Sequence, residues 1–168
     1  MITKIVDGVL HMRCISLRQP YLHFIFDLPP ESRKDVENRT RPITSEMGPF
    51  LMAASALNRS RADEQRYFDE ACAGALARGV PESLLPRLGD LEHGVLYGCV
   101  MFVRRLPSTG LEDSVWKWKF PGHTGYVLSG AIRLPSRPVK GQQGTYQVPL
   151  TDEDRGILRA AKLDAWVT

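Results

Sequence analysis

Ser32-Arg33-Lys34-Asp35-Val36-Glu37-Asn38-Arg39 places cations and a carboxylate in one short segment, and it predicts both a strand and a site. In an extended chain successive side chains point to opposite faces, so Glu37 and Arg39 share one face and Lys34 lies on the other. Val36 is the only large apolar residue from Lys34 to Arg39, which is typical of a half-exposed strand at the rim of a sheet. A bend or bulge would be needed to bring the lysine onto the glutamate.

A converged Lys34–Glu37 pair has two interpretations, and the residues leave both open. In the first, Glu37 neutralises Lys34 or Arg39 as an internal ion pair, and the domain serves as a protein-interaction module. In the second, burial lowers the pKa of the lysine until it acts as a base. The carboxylate then orients the lysine or carries a proton.

Arg18-Gln19-Pro20 predicts the start of a helix, because proline suits the first helical position. An arginine there opposes the helix dipole at a cost of about 0.3–1 kcal/mol when it is exposed. The arginine and glutamine make sense if they face a ligand, since free amides at a helix start favour an anion or a carbonyl edge. The alternative is a solvent-exposed loop that tolerates the small penalty.

The composition is that of one ordinary globular domain spanning residues 1–168, with a net charge of +3 and 43% hydrophobic residues. No apolar run approaches the roughly 18 residues of a membrane span, so no membrane association is expected. The three cysteines lie far apart in the sequence, which favours a reducing compartment such as the cytoplasm. The histidines lack metal-ligand spacing, and we expect neither a metal nor a cofactor.

The apolar pattern predicts an α+β fold, with short strands separated by turns and helices inserted between some of them. Such an order favours a small mixed β-barrel of about six strands over a βαβ sandwich. The predicted strands are residues 9–17, 34–39, 50–55, 95–104, 125–134 and 145–148. The predicted helices start at Pro20, at Ser60 and after Thr151. The apolar face of the second would carry Phe68, Ala71, Cys72, Ala75 and Leu76, and that of the third Ile157, Leu158, Ala161 and Trp166.

Trp116-Lys117-Trp118-Lys119-Phe120 alternates aromatic and cationic residues. On a strand or rim, nucleobases could stack on the aromatic side while the lysines meet phosphates. The alternative is a strand that packs its rings into the core and leaves its lysines in water.

The spacing Lys34-x-x-Glu37-x-Arg39 resembles the motif of the ASCH domain family, in which a glycine is usual at the position of Ser32. The likeness continues in order along the chain. It includes Ile15-Ser16-Leu17-Arg18-Gln19-Pro20-Tyr21, Gly48-Pro49-Phe50-Leu51-Met52-Ala53-Ala54-Ser55, Leu96-Tyr97-Gly98-Cys99-Val100, Gly125-Tyr126-Val127-Leu128 and Pro138-Val139-Lys140-Gly141-x-x-Gly144.

The resemblance implies a PUA-like barrel with its core at residues 12–149 and a C-terminal helix at 150–168 packed on the barrel. It implies a partner among RNA, single-stranded DNA and modified nucleosides. Some members resemble amidohydrolases of N-acylated cytidine that use a lysine, a threonine and a glutamate; Lys34 matches the lysine, whereas Glu37 stands at the threonine position. Ribonuclease activity in the family relies on a lysine and hydroxyls, for which Tyr21, Ser55 and Tyr126 are the candidates.

The predicted site follows from these observations. For an enzyme, Lys34 would be the base and Glu37 its partner. For a binding protein, Gln19 and Asn38 would read base edges, because an amide donates and accepts hydrogen bonds at once. The remaining ligand-binding candidates are Arg18, Tyr21, Arg39, Ser55, Trp118, Tyr126 and Lys140, of which Arg18, Arg39 and Lys140 would meet phosphate or carbonyl oxygens.

Overall fold

A computed structural model describes residues 3–57, 60–109 and 116–162. Within these ranges the chain has an α+β fold with seven strands, three α-helices and three single-turn 3-10 helices. The strands are β1 (Thr3–Val6), β2 (Val9–Leu17), β3 (Val36–Arg39), β4 (Gly48–Ala54), β5 (Val95–Leu106), β6 (Thr124–Pro138) and β7 (Thr145–Pro149). The helices are α1 (Tyr21–Phe26), α2 (Arg61–Leu76) and α3 (Asp152–Ala160).

The strands form one mixed sheet in the order β1-β2-β4-β5-β6-β3, with β7 paired to β2 outside this path. β2 and β4 are parallel, and the other pairs are antiparallel. Between the described strands the path stays open, so its closure into a barrel is not confirmed. β1 was not among the six predicted strands; it is short and largely exposed. The hairpin turn between β1 and β2, at Asp7-Gly8, has positive φ angles of 49° and 77°.

Most predicted elements lie where the apolar pattern placed them. β2 has the predicted bounds, and β3 pairs only with β6 at one end of the described sheet, as a rim strand should. Ser60 caps α2 by accepting a hydrogen bond from Asp63 N, and α2 buries four of its five predicted apolar residues. The prediction was wrong for Leu76, which is 44% exposed.

The C-terminal helix begins with a capping box between Thr151 and Asp154. Leu158 is fully buried and Ile157 packs beside it in the same apolar cluster, as predicted. Ala161 is exposed, contrary to the prediction, because α3 has already ended at Ala160. Trp166 lies outside the described residues.

Helix α1 is short and buried on most of its surface, and it sits between two parts of the core. Ile25 and Phe26 pack against the sheet, whereas Phe24 packs against α2 and Trp118. This double packing fixes Tyr21, the first residue of α1, at the edge of the cleft described below. None of the helices in the described ranges is long and apolar enough to cross a membrane.

Gly98 of β5 offers a test of how tightly α1 packs on the sheet. A Cβ atom at Gly98 would overlap the ring of Phe26 and the carbonyl oxygen of Ile132. We expect Gly98→Ala to lower the free energy of unfolding by about 1–3 kcal/mol, because the backbone would have to move. Gly156 in α3 has no neighbour within 4 Å of such an atom, so Gly156→Ala should raise stability by up to about 1 kcal/mol. Urea denaturation of both variants tests this; equal behaviour of the two would contradict it.

Candidate functional site

The Lys34–Arg39 segment begins as an irregular connection and enters β3 at Val36. The change of direction there is the bend needed to bring Lys34 onto Glu37. Lys34 lies two residues before the strand, where its backbone N–H donates to Phe24 O of α1 at 2.9 Å. From Val36 onward the chain pairs with β6, with Glu37 opposite Tyr126. The lysine side chain can therefore fold back toward the glutamate instead of pointing to the opposite face of a continuous strand.

Glu37 binds two cations through separate oxygen atoms. Its Oε2 accepts a hydrogen bond from Lys34 Nζ at 2.8 Å, and its Oε1 lies 3.0 Å from Arg39 Nε in an ion pair. Lys34 is 3% exposed and Glu37 is 5% exposed, whereas the arginine side chain is partly exposed. The predicted convergence of the three residues is thus confirmed as geometry, with the lysine deepest and the arginine nearest solvent.

Burial sets the protonation behaviour of Lys34. Removal from water is the largest influence and lowers the pKa of Lys34 below its ordinary value, while the charge and hydrogen bond of Glu37 raise it. Arg39 lowers it further by repulsion. The ammonium also donates to the carbonyl oxygen of Val36. The lysine is therefore closer to neutrality than a surface lysine, although a carboxylate holds its proton in place.

Asn38 organises the neighbouring 116–120 segment. Its Nδ2 donates to Trp118 O at 2.6 Å, and its Oδ1 accepts from Phe120 N at 2.8 Å. Both ends of the amide are thus engaged by backbone groups. Asn38 lines the cleft, but as a residue that positions the Phe120 ring; the prediction that it reads a base edge is not supported by this arrangement.

A cleft of about 210 Å³ opens above the Lys34–Glu37–Arg39 cluster. Its walls carry three aromatic rings, from Tyr21, Tyr67 and Phe120, and its rim carries hydroxyl groups and Arg18. The residues that line it are Ser16, Leu17, Arg18, Tyr21, Lys34, Glu37, Asn38, Arg39, Ser55, Tyr67 and Phe120.

Arg18 is held rigidly at one end of the cleft. Its guanidinium lies 3.4 Å from the centroid of the Tyr67 ring, and its Nη2 donates to Glu64 Oε1 at 3.0 Å. Both partners belong to α2, so the helix fixes the arginine that precedes α1. Tyr21 contacts the Tyr67 ring edge-on with ring centroids 6.0 Å apart. Burial raises the pKa of Tyr21.

Gln19 faces away from the cleft. Its Nε2 donates to Glu92 O at 3.1 Å and its Oε1 accepts from His23 N at 3.3 Å, and the residue is 2% exposed. The Gln19–Pro20 peptide bond is cis, and Pro20 lies at the N-cap position of α1, one residue before its first turn. Tyr21 N donates to Arg18 O and His23 N donates to Gln19 Oε1, so these two amides are satisfied within the fold. Of this segment, Gln19 therefore does not face the cleft, whereas Arg18 and Tyr21 line it.

Three further predicted site residues do not line the cleft. Tyr126 is fully buried, and its hydroxyl accepts from Ile43 N at 2.9 Å. Trp118 is 3% exposed and packs on Phe24 with ring centroids 5.5 Å apart. Lys140 is exposed and lies outside the lining.

The 116–120 segment is a turn and forms no strand, because its backbone bonds to Asn38 instead of to a neighbouring strand. Lys119 is buried and donates to Phe120 O at 3.0 Å and to His123 O at 2.5 Å. The alternation of rings and lysines therefore does not separate into a stacking face and a phosphate-binding face. Of this segment, only Phe120 reaches the cleft.

Tyr67, Ser16 and Glu64 belong to the site or its support and were missed as site residues, whereas Phe120 belongs to the aromatic segment that the sequence singled out. Tyr67 and Glu64 lie three residues apart on α2, which places them on one helix face, but nothing in the linear sequence connects that face to Arg18. Only the packing of α2 against Phe24 of α1 brings this face beside Arg18.

A larger cavity of about 400 Å³ lies on the other side of Lys34, beside Asp35, Arg78 and Trp116. Burial raises the pKa of Asp35 above its ordinary value. We assign the site to the smaller cleft, because there the buried cluster, the aromatic rings and a fixed guanidinium converge. In the part of the chain that the structure describes, no three histidine, cysteine, aspartate or glutamate residues are grouped so as to hold a metal ion.

A scan against protein-family models finds none that matches this chain, and a search of the curated proteins finds no match either. The functional interpretation therefore depends on the side chains that meet in the cleft. These supply one buried amine, one buried carboxylate, guanidinium groups and aromatic rings.

Replacement of Glu37 tests the buried cluster. Glu37→Gln leaves the Lys34 ammonium buried without its carboxylate and should cost about 3–5 kcal/mol of folding free energy at pH 7. The folded-state pKa of Lys34 then falls further below the roughly 10.4 of the unfolded chain. Since the unfolded state binds more protons between these two values, the stability of the variant rises with pH in that window, and the penalty should shrink toward pH 10.

Chemical denaturation at pH 7 and pH 10 measures this change. Glu70→Gln is the matched control, because Glu70 is exposed on α2, and it should alter stability by less than about 0.5 kcal/mol at either pH. A Glu37→Gln penalty that is small, or equal at both pH values, would contradict the cluster as described.

Proposed function

We propose that the chain is an ASCH-type, PUA-like domain that binds a nucleotide unit of RNA or single-stranded DNA, or a modified nucleoside, in the cleft above Lys34. The observation that carries the proposal is the buried Lys34–Glu37–Arg39 cluster at the floor of a cleft with aromatic walls. A planar, polar ligand suits such a site, because its face can stack and its edge can hydrogen-bond.

The chemistry of the lining supports a base in the cleft. Tyr21 and Phe120 offer ring surfaces, whereas one face of Tyr67 is already covered by Arg18. Glu37 accepts and Lys34 donates, so together they can complement the donor and acceptor pattern of a base edge. Arg39 and Arg18 are the partly exposed cations of the lining, with which a phosphate group would form charge-assisted hydrogen bonds.

The sheet and the cysteines are compatible with the wider proposal. We propose the PUA-like class for the seven-stranded mixed sheet on the strength of the sequence resemblance and the strand order. The three free cysteines are buried, and burial raises the pKa of Cys14 and of Cys99 to about 12. Reduced, unreactive thiols suit a protein of the cytoplasm, which is the compartment we propose.

Arg39→Ala tests the binding proposal. We expect about tenfold weaker binding of fluorescently labelled single-stranded RNA or DNA, because one charge-assisted contact is lost. If that contact is to a phosphate, the slope of log affinity against log salt concentration should fall by about 0.7. Fluorescence polarisation gives both quantities, and calorimetry with nucleosides extends the test to free ligands.

Arg66→Ala serves as the control, because that arginine side chain is 72% exposed on α2 and lies outside the cleft. It should leave the affinity within about twofold. The proposal fails if the wild-type protein binds none of these ligands, or if the two variants behave alike.

A second candidate function, hydrolysis of an N-acylated cytidine or of RNA, is favoured by the lowered pKa of Lys34 in the cleft. With N-acylated cytidine, the neutral amine of Lys34 would take a proton from a water molecule as its oxygen adds to the acyl carbon. The C–N bond of the substrate then breaks, and Lys34 returns the proton to the departing amino group of cytidine. Glu37, 2.8 Å from Nζ, would orient the lysine throughout.

The hydrolase candidate predicts a rate that rises with pH to a plateau reached below the ordinary lysine pKa of about 10.4, because only the neutral amine is a base. Lys34→Met should abolish product formation, whereas Lys117→Met, at an exposed lysine outside the cleft, should not. Liquid chromatography after incubation with N-acylated cytidine and with single-stranded RNA detects the products, and circular dichroism checks the fold. Product that forms equally with Lys34→Met, or none from the wild type, would exclude this candidate.

A further inference from the structure

The cleft continues into a second cavity of about 310 Å³. Ser16, Arg18 and Ser55 line both cavities, so the two meet at these three residues. Beyond the junction the second cavity is bounded by Glu64 on α2 and by Gln142 and Gln143 of the loop between β6 and β7.

Each cavity has its own chemistry. The cleft is rich in aromatic rings, whereas the second cavity presents two side-chain amides and a carboxylate, with Ala56 as its one apolar side chain among the described residues. A ring surface suits the face of a base, and amides suit an edge. The cleft alone is smaller than the roughly 300–1,000 Å³ of sites that enclose a whole drug-sized ligand, whereas the two cavities together fall within that range.

The junction has the groups that proteins use to bind phosphate. Arg18 supplies a guanidinium already fixed over Tyr67 and against Glu64, so little further ordering is needed when a ligand arrives. Ser16 and Ser55 add hydroxyls on the same stretch of wall. Glu64, whose side chain is 11% exposed, is balanced by Arg18 and lies on the side of the second cavity.

The loop is seated directly against the floor of the junction. A Cβ atom at Gly141 would lie 2.8 Å from Ser16 Oγ, so a larger residue there would have to displace this hydroxyl. Ser16 Oγ in turn shares a hydrogen bond of 2.8 Å with Tyr146 OH on β7. The position of Gln142 and Gln143 is thereby tied to the cleft through Gly141 and Ser16.

From this continuity we propose that the ligand is a single strand of at least two nucleotides: one base lies in the cleft, the linking phosphate lies at Arg18, Ser16 and Ser55, and the neighbouring base lies against Gln142 and Gln143. The inference rests on the proposed function and narrows its ligand from any nucleotide or nucleoside to a strand. The two glutamines then read the neighbouring base, and the aromatic cleft holds the first.

Calorimetric titration of the full chain with cytidine, cytidine monophosphate and the dinucleotide CpC, in ribose and deoxyribose forms, tests the proposal. We expect CpC to bind at least tenfold more tightly than cytidine. Gln142→Ala combined with Gln143→Ala should weaken CpC about tenfold through the loss of two amide contacts and leave cytidine unchanged. Gln65→Ala, at an exposed glutamine of α2 outside both cavities, should change neither affinity.

The outcomes separate this inference from the proposed function. Equal affinities for cytidine and CpC, or a double variant that binds CpC like the wild type, would overturn the two-nucleotide site while the cleft remains a nucleoside site. Absence of binding for every compound would overturn both. The ribose and deoxyribose arms show whether the strand is RNA or DNA, since only a contact to the 2′-hydroxyl distinguishes them.

Discussion

A buried ammonium group must have a counter-charge, and this requirement shapes the centre of the molecule. Lys34 is almost fully enclosed, and Glu37 supplies its partner while also binding Arg39. An isolated charge in such a place would lose several kcal/mol of solvation or give up its proton. The three residues therefore act as one unit, and removal of its central carboxylate disturbs both cations.

The unit also ties together elements that are distant in sequence. The Lys34 backbone is anchored on Phe24 of α1, and Arg39 Nη2 donates to Ser16 O on β2 at 3.2 Å. Asn38, between the two, holds the 116–120 turn. A short rim strand thus joins a helix, a central strand and a remote turn, and the cleft is the space left where they meet.

The site combines rigidity on one side with openness on the other. Arg18 is fixed by Tyr67 and Glu64, and Phe120 is placed by Asn38. Preorganised groups lose little entropy when a ligand binds, so more of the contact energy in a small cleft contributes to affinity. The same preorganisation would place the amine of Lys34 for proton transfer, which is why binding and hydrolysis are both compatible with one arrangement of residues.

Local patterns determined most of the fold and the centre of the site. Strand β2, the Ser60 cap of α2 and the spacing of Lys34, Glu37 and Arg39 could all be recognised in the sequence, because they depend on near neighbours along the chain. Tertiary packing decided the rest. It turned Gln19 and Tyr126 inward to satisfy distant backbone groups, buried Lys119 in a turn, and brought Tyr67 of α2 to Arg18. Hydrogen-bond partners and ring contacts such as these join residues dozens of positions apart, and no local spacing encodes them.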